Sequence, residues 1–248
     1  MHTRDKWRAS LRPRIAAARA WLAAQPDQDI AHRAGLTVCR DHFELSFLQR
    51  TIHLSRAGFV AQTVDGVVCA EEEQILLLDY ISRARGDLPS GRFVGFRELP
   101  DGPFYDRAFR SYTSEALVRG FGDHEDALRR AAVRLGGTAI EKGSAAYSFH
   151  VLPRLVVAIV WWSGDEEFPA TATVLYDEVT SHVLPIDGLA AIGRILCAEL
   201  LRGETGGDES RHAAQGNARN ECSPKESDGQ KGATNVEDHC RSRNPGSL

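Results

Sequence analysis

Apolar positions change their period several times along this chain, and each change marks a predicted element. In HFELSFL, Phe43, Leu45 and Phe47 alternate with Glu44 and Ser46, the two-residue period of a half-buried strand. Gln49-Arg50 reads as a short turn into TIHLS, and Arg56-Ala57-Gly58 as a second turn into FVAQTV. Short hairpin connections of this kind predict an antiparallel meander. The period then becomes helical. AEEEQILLLDYISRA puts Ile75, Leu78 and Ile81 on one stripe, with glutamates in the first turn where the helix dipole favours them. Beyond Gly86–Gly91, RFVGFREL reads as a short strand and Leu99–Pro103 as a turn. The helix predicted next presents Tyr105, Phe109, Tyr112 and Ala116 on one side. Asp123 is placed as the N-cap of DHEDALRRAAVRL, with Asp126 completing a capping box, and Gly136-Gly137 closes that helix.

Strand periodicity then returns. In AAYSFHVL, Tyr147, Phe149 and Val151 share a face, whereas LVVAIVWW is apolar throughout, as expected of a strand covered on both sides. ATATVLYD is its predicted hairpin partner, and Asp187 is placed as the cap of GLAAIGRILCAELL, which stops at Gly203. Strands and helices that alternate through hairpins predict an α+β fold, an antiparallel sheet with helices packed on its faces.

Three regions follow from this pattern. Residues 1–25 form a basic, Ala-rich segment, with Pro13 fitting a first helical turn and Ile15, Ala18 and Leu22 at helical spacing. It reads as a basic helix docked on the domain, although an organelle-targeting peptide has a similar composition. Residues 26–203 form the single α+β domain. Residues 204–248 are built from Gly, Ser, Asn and charged residues, too poor in apolar surface to offset their ordering entropy, and are expected to be disordered.

Composition narrows the possibilities only modestly. The 248 residues are 42% hydrophobic and 26% charged, with a formal net charge of −4. That balance argues against nucleic-acid binding, which rests on Lys and Arg neutralising phosphates. No apolar run reaches the ~20 residues of a membrane span. Five scattered cysteines without a CxxC pair suit a reducing compartment, so the cytoplasm is the expected location and no metal site is read from them. Cys39, Cys69 and Cys197 are expected to act as small buried residues.

Among the common catalytic and nucleotide-binding motifs, GxGxxG after a strand, GxxxxGK[ST], GxSxG and HExxH are all absent. RFVGFRE has aromatic residues at strand spacing but lacks the glycine pattern of an RNA-binding strand, so Phe93 and Phe96 are assigned to packing. The best candidate is the loop Ser163–Pro169, where Asp165, Glu166 and Glu167 cluster between two central strands and Phe168-Pro169 is expected to pin the loop to the domain. Such a loop could hold a hard cation, accept protons or meet a basic partner. Asp177 and Glu178 should lie a strand's length away from it. Trp161 and Trp162 must face opposite sides of the sheet, so one of them could line a pocket. Glu98 and Tyr105 flank the Pro/Gly turn, and His150 shares a strand face with Ser148.

LLLDYISRARG, FRELPDGPFYDRAF, LRRAAVRLGGT, SFHVLPRLVVAIVWWSGDEEFP and ATVLYDEVTSHVLPIDGLAAIG, in that order, resemble the bacterial and archaeal domain-of-unknown-function family numbered 3786, over about Asp27 to Gly203. The resemblance implies no defined reaction. It does imply a setting near redox or corrinoid chemistry, because some similar proteins carry an upstream Cys-rich segment for a four-iron cluster. Residues 1–38 here contain no cysteine. Positions that match the family pattern include Glu98, Tyr105, Trp162, Gly164, Asp165, Glu167, Phe168, Asp177 and Asp187.

The leading expectation is an accessory protein that binds a small molecule or cofactor, with a site framed by Trp162, Asp165, Glu166, Glu167, Glu98 and Tyr105. A metal-assisted hydrolase or transferase using the acidic loop, with His150 as base, is the alternative. A third possibility is an interaction module that meets a basic protein partner through that loop.

Overall fold

The computed structural model describes the backbone of residues 2–205 and the side chains of residues 11–202. In chain order the elements are α1 (His2–Ala23), α2 (Asp27–Ala34), β1 (Thr37–Val38), β2 (His42–Phe47), β3 (Arg50–Ser55), β4 (Ala61–Thr63), α3 (Glu71–Arg83), β5 (Phe93–Gly95), α4 (Gly102–Tyr112), α5 (Ser114–Phe121), α6 (Glu125–Arg134), β6 (Thr138–Ala139), β7 (Ala145–Leu152), β8 (Leu155–Trp162), β9 (Thr171–Asp177) and α7 (Ile186–Thr205). The strands form two sheets, β1-β2-β3-β4 and β5-β9-β8-β7-β6, antiparallel throughout. The fold is α+β, as the hairpin pattern implied.

β8 is the central strand of the larger sheet, and its residues from Leu155 to Trp161 are all buried. Leu155, Val157, Ile159 and Trp161 join Tyr147, Phe149 and Val151 of β7 and Val174 and Tyr176 of β9 in the core. α4 to α7 cover this face. Phe121 meets Trp161 edge-on, and Phe109 stacks on Phe96 at 3.9 Å between ring centroids. Gly193 brings α7 close to this stack. A Cβ there would collide with the Tyr176 hydroxyl and stand 2.7 Å from the Phe109 ring.

The smaller sheet turns Phe43, Leu45, Phe47, Ile52 and Leu54 into the same core. Its hairpin turns one residue earlier than the sequence suggests, at Leu48-Gln49, where both residues have positive φ (46° and 65°). Left-handed conformation at two non-glycine residues costs of order 1–3 kcal/mol each. Leu48 offsets its share by burial, and by donating its N–H to the Val151 carbonyl of β7 at 3.0 Å. The same hydrogen bond ties the two sheets together. Tyr80 of α3 adds a second tie, donating its hydroxyl to the Ala34 carbonyl (2.7 Å) and accepting from the Arg154 N–H (2.9 Å).

α1 docks against α3 through buried Leu11, Ile15 and Leu22, with Arg14 on Asp79 at 2.7 Å. It runs straight through Pro13, which is therefore interior rather than first-turn. A helix-interior proline costs ~3 kcal/mol. Three buried aliphatic side chains, each contributing roughly 1.5–3 kcal/mol, outweigh it. α7 ends at Thr205, and the tail beyond, predicted to be disordered, lies outside the described residues.

Several boundaries differ from expectation. RFVGFREL supplies only three strand residues, and Phe96–Glu98 tighten into a 3₁₀ turn closed by the Glu98 carboxylate on the Gly95 N–H (2.8 Å). The predicted Tyr105–Ala116 stripe is broken at Thr113, whose hydroxyl bonds back to the Phe109 carbonyl (2.6 Å). The break lets Leu117 and Phe121 of α5 turn inward, and it leaves Tyr105 and Tyr112 on the surface. α6 begins at Glu125 with His124 as its N-cap, so Asp123 lies outside the helix. Asp187 sits inside the first turn of α7, 3.5 Å from Arg14, rather than capping it. Each carboxylate still lies near a helix N-terminus, where the dipole favours it.

Asp177, at the end of β9, is fully buried and satisfied by three backbone N–H groups and one hydroxyl. Oδ1 accepts from the N–H and hydroxyl of Ser90 (3.1 and 3.2 Å) and from the Val179 N–H (3.2 Å), while Oδ2 accepts from the Gly91 N–H (2.7 Å). This carboxylate anchors the loop before β5 onto the sheet. Asp177→Ala strands buried donors and should cost about 2–4 kcal/mol. Urea unfolding at unchanged m-value measures this, with Asp177→Asn, which keeps one acceptor, less affected.

Candidate functional site

The β8–β9 hairpin loop is organised by Asp165. Its Oδ1 accepts from the backbone N–H groups of Phe168 (2.8 Å) and Glu167 (2.9 Å), and its own N–H donates to the Phe168 carbonyl (2.9 Å). Those backbone donors, Phe168 first, hold the Asp165 carboxyl below the ordinary carboxylate range. Ser163 fastens the loop to the domain, its N–H donating to the Ser144 hydroxyl (3.0 Å) and its hydroxyl to Glu125 Oε2 (2.7 Å). Phe168 does not pin the loop as expected. It is 67% exposed, and buried Ala170 takes the inward position instead. Glu166 and Glu167 face solvent.

The other predicted residues are dispersed. Trp161 is sealed in the core, whereas Trp162, on the opposite face, is 42% exposed. Glu98 is committed to its 3₁₀ turn, and Tyr105 is exposed on α4. His150 pairs with Val156, six positions before Trp162 along β8, which separates it from the acidic loop by ~20 Å. Asp177 lies at the far end of β9 from the loop, as its spacing implied.

Between α4, α5 and the outer edge of β9 lies a cleft of about 600 Å³. Topology creates it. β5 pairs only with Leu175–Asp177, so the edge of β9 at Thr171–Val174 has no strand neighbour on this side among the described residues. Phe96, Phe109, Val118, Ala172 and Val174 give the cleft an apolar lining, and Arg97, Arg110 and Arg119 bring three guanidiniums to it. Arg110 lies 3.7 Å from Asp106, and Arg119 lies 3.9 Å from Glu115 while donating to the Ser111 carbonyl at 2.8 Å. Arg97 is exposed and makes no hydrogen bond or ion pair among the described residues. A guanidinium beside apolar surface suits a carboxylate or phosphate carried on an apolar body.

None of Trp162, Asp165, Glu166, Glu167, Glu98 and Tyr105 is among the cleft-lining residues, although Arg97 and Asp106 are their immediate chain neighbours. The arginines come from a 3₁₀ turn and two helices, at separations that match no motif. The only local signal is the i, i+4 pairing of Asp106 with Arg110 and Glu115 with Arg119. A second recess of about 600 Å³ lies between α1 and α3, where Arg14 is already held by Asp79 and Arg33 lies over the Trp21 ring.

The Asp165 turn has a pH signature. The lowered carboxyl favours the folded loop above the ordinary Asp value, near 3.9, and that contribution is lost as pH falls through the lowered value. Amide exchange should show the Glu167 and Phe168 N–H groups protected at neutral pH and released below that range. Asp165→Ala should remove the protection at every pH.

No helix among the described residues is long and apolar enough to cross a membrane. No curated protein and no solved structure matches the chain. The ordered motifs quoted above find their counterpart in one family, which matches residues 27–199, from the start of α2 into α7. The chain belongs to the family described as Domain of unknown function (DUF3786).

Proposed function

We propose that this protein binds a small anionic molecule, a carboxylate or phosphate attached to an apolar body, in the cleft between α4, α5 and β9. The observation that carries this reading is Arg97, a cation without a protein partner among the described residues, at the edge of an apolar cleft sized for a small metabolite or cofactor. Arg110 and Arg119 reinforce the field, and the unpaired edge of β9 offers backbone groups for orientation. The described cysteines, Cys39, Cys69 and Cys197, are free thiols, which supports a reducing, cytoplasmic setting.

Thermal unfolding against a panel of organic acids, sugar phosphates and nucleotides tests this reading. A true ligand at 100 times its Kd should stabilise by ~2.7 kcal/mol, a rise of roughly 5–10 °C. Arg97→Ala should abolish most of that rise while leaving the unliganded Tm within about 1 °C. If no panel member shifts the wild-type Tm, the proposal fails.

A second reading has its own observation. Glu166, Glu167 and Phe168 project from a loop rigidified by Asp165 and Ser163, an acidic surface with an apolar tip that suits a basic protein partner. Co-purification at low salt, lost with Glu166→Gln/Glu167→Gln, supports it, and no difference between wild type and that variant would eliminate it.

A further inference from the structure

Cys39, His42 and Glu44 bring a sulfur, an imidazole nitrogen and a carboxylate oxygen within 4.8 Å of one another at the start of the smaller sheet. Backbone geometry sets this up. The Cys39 N–H donates to the His42 carbonyl (2.9 Å), folding the thiol back toward the first residue of β2. The two-residue period then puts His42 and Glu44 on the outer face, opposite Phe43 and Leu45. Glu44 pairs directly with His53 across the hairpin, so a second imidazole faces the same carboxylate. His42 Nε2 lies 3.4 Å and His53 Nε2 3.6 Å from Glu44 Oε1, and the two rings are 4.2 Å apart between centroids.

The hydrogen bonds around His42 constrain where its protons lie. Asp41 Oδ1 lies 2.8 Å from His42 Nδ1. A carboxylate only accepts, so Nδ1 carries the proton, and in the neutral ring Nε2 presents a lone pair. That lone pair points at Glu44 Oε1, which also only accepts. Two lone pairs at 3.4 Å need positive charge between them, either a second ring proton or a metal ion. Carboxylate–imidazole–metal relays use this outer-shell arrangement to fix the tautomer of a ligating histidine. A thiol within the same radius adds a strong transition-metal ligand to the imidazole and carboxylate. Ligands about 2.0–2.3 Å from a tetrahedral ion stand roughly 3.3–3.8 Å from each other, which is the spacing of the two histidine nitrogens from Glu44.

We infer that Cys39, His42 and Glu44 form a binding site for a zinc-class divalent transition ion, with Asp41 orienting His42 from outside the coordination sphere and His53 flanking the set beside Glu44. Binding releases the Cys39 thiol proton and the second His42 ring proton to solvent, and the freed sulfur and nitrogen lone pairs bind the ion together with Glu44. The site lies on a different sheet from the cleft and is independent of the function proposed for it.

Titration of the full chain with Co²⁺ provides the test, in a Cys222→Ser/Cys240→Ser background so that the tail thiols contribute nothing. The expected result is a one-to-one complex with a thiolate-to-cobalt charge-transfer band in the near ultraviolet, displaced by Zn²⁺. Cys39→Ser should lose that band. His42→Ala should weaken binding, and Asp41→Asn should weaken it about 10- to 100-fold with the band retained. Cys39 and Asp41 stand in the loop before β2 and His42 is half-buried on its outer face, none of them in the core, so far-UV circular dichroism should show each variant folded. Absence of a stoichiometric complex, a complex lacking the thiolate band, or affinity unchanged in Cys39→Ser would each overturn the assignment.

Discussion

Burial of β8 on both faces is the constraint from which the architecture follows. A strand without a polar side chain before its end cannot sit at a sheet edge or face water. It therefore takes a central position, with β7 and β9 pairing its backbone, α5 and α6 packed on those neighbours, and Phe121 of α5 against Trp161. Each buried aliphatic side chain contributes roughly 1.5–3 kcal/mol, so this strand is among the largest local terms holding the fold. Its ends are where polar chemistry resumes. The acidic loop closes one end of the β8–β9 hairpin, and Asp177 locks the other end of β9 to the loop before β5.

The second sheet has its own apolar face but shares the core through a few specific contacts. Leu48 reaches Val151, and Tyr80 bridges the α2 end to Arg154 at the β7–β8 turn. Buried hydrogen bonds of this kind cost most when one partner is removed, so they set the relative placement of the sheets more than they add to net stability. Two separate surfaces result. The short pairing of β5 opens a cleft beside β9, while the start of β2 gathers Cys39, His42 and Glu44, with His53 of β3 beside Glu44.

Electrostatics divides these surfaces in a way that net charge does not reveal. A chain with a formal charge of −4 gathers Arg97, Arg110 and Arg119 around one cleft and places the acidic run Asp165–Glu167 on an outward loop. Asp106 and Glu115 temper two of the arginines from the next helical turn. Arg97, the middle residue of the 3₁₀ turn, has no such neighbour among the described residues, because Glu98 is turned back onto Gly95.

Much of the architecture was legible locally. Period-two and period-3.6 patterns located β2, β7, β8, β9, α3 and α7, because burying one face of an element forces that repeat on its sequence whatever it packs against. Apolarity at every position announced the doubly covered strand. The family resemblance was carried by the same motifs. What local pattern could not resolve was register and long-range assembly. Placing the first hairpin turn at Gln49-Arg50 would pair Glu44 with Ser55, whereas the turn at Leu48-Gln49 pairs it with His53. That shift decides whether His53 faces Glu44, and it depends on Leu48 finding a buried site and a partner on β7. The cleft is the same case at longer range: three arginines on three elements converge only after β5 stops short and α4 breaks at Thr113. Periodicity is imposed by burial within one element, which already put His42 and Glu44 on one face of β2, but convergence of the cleft arginines is imposed by packing between elements, so only the tertiary structure determined it.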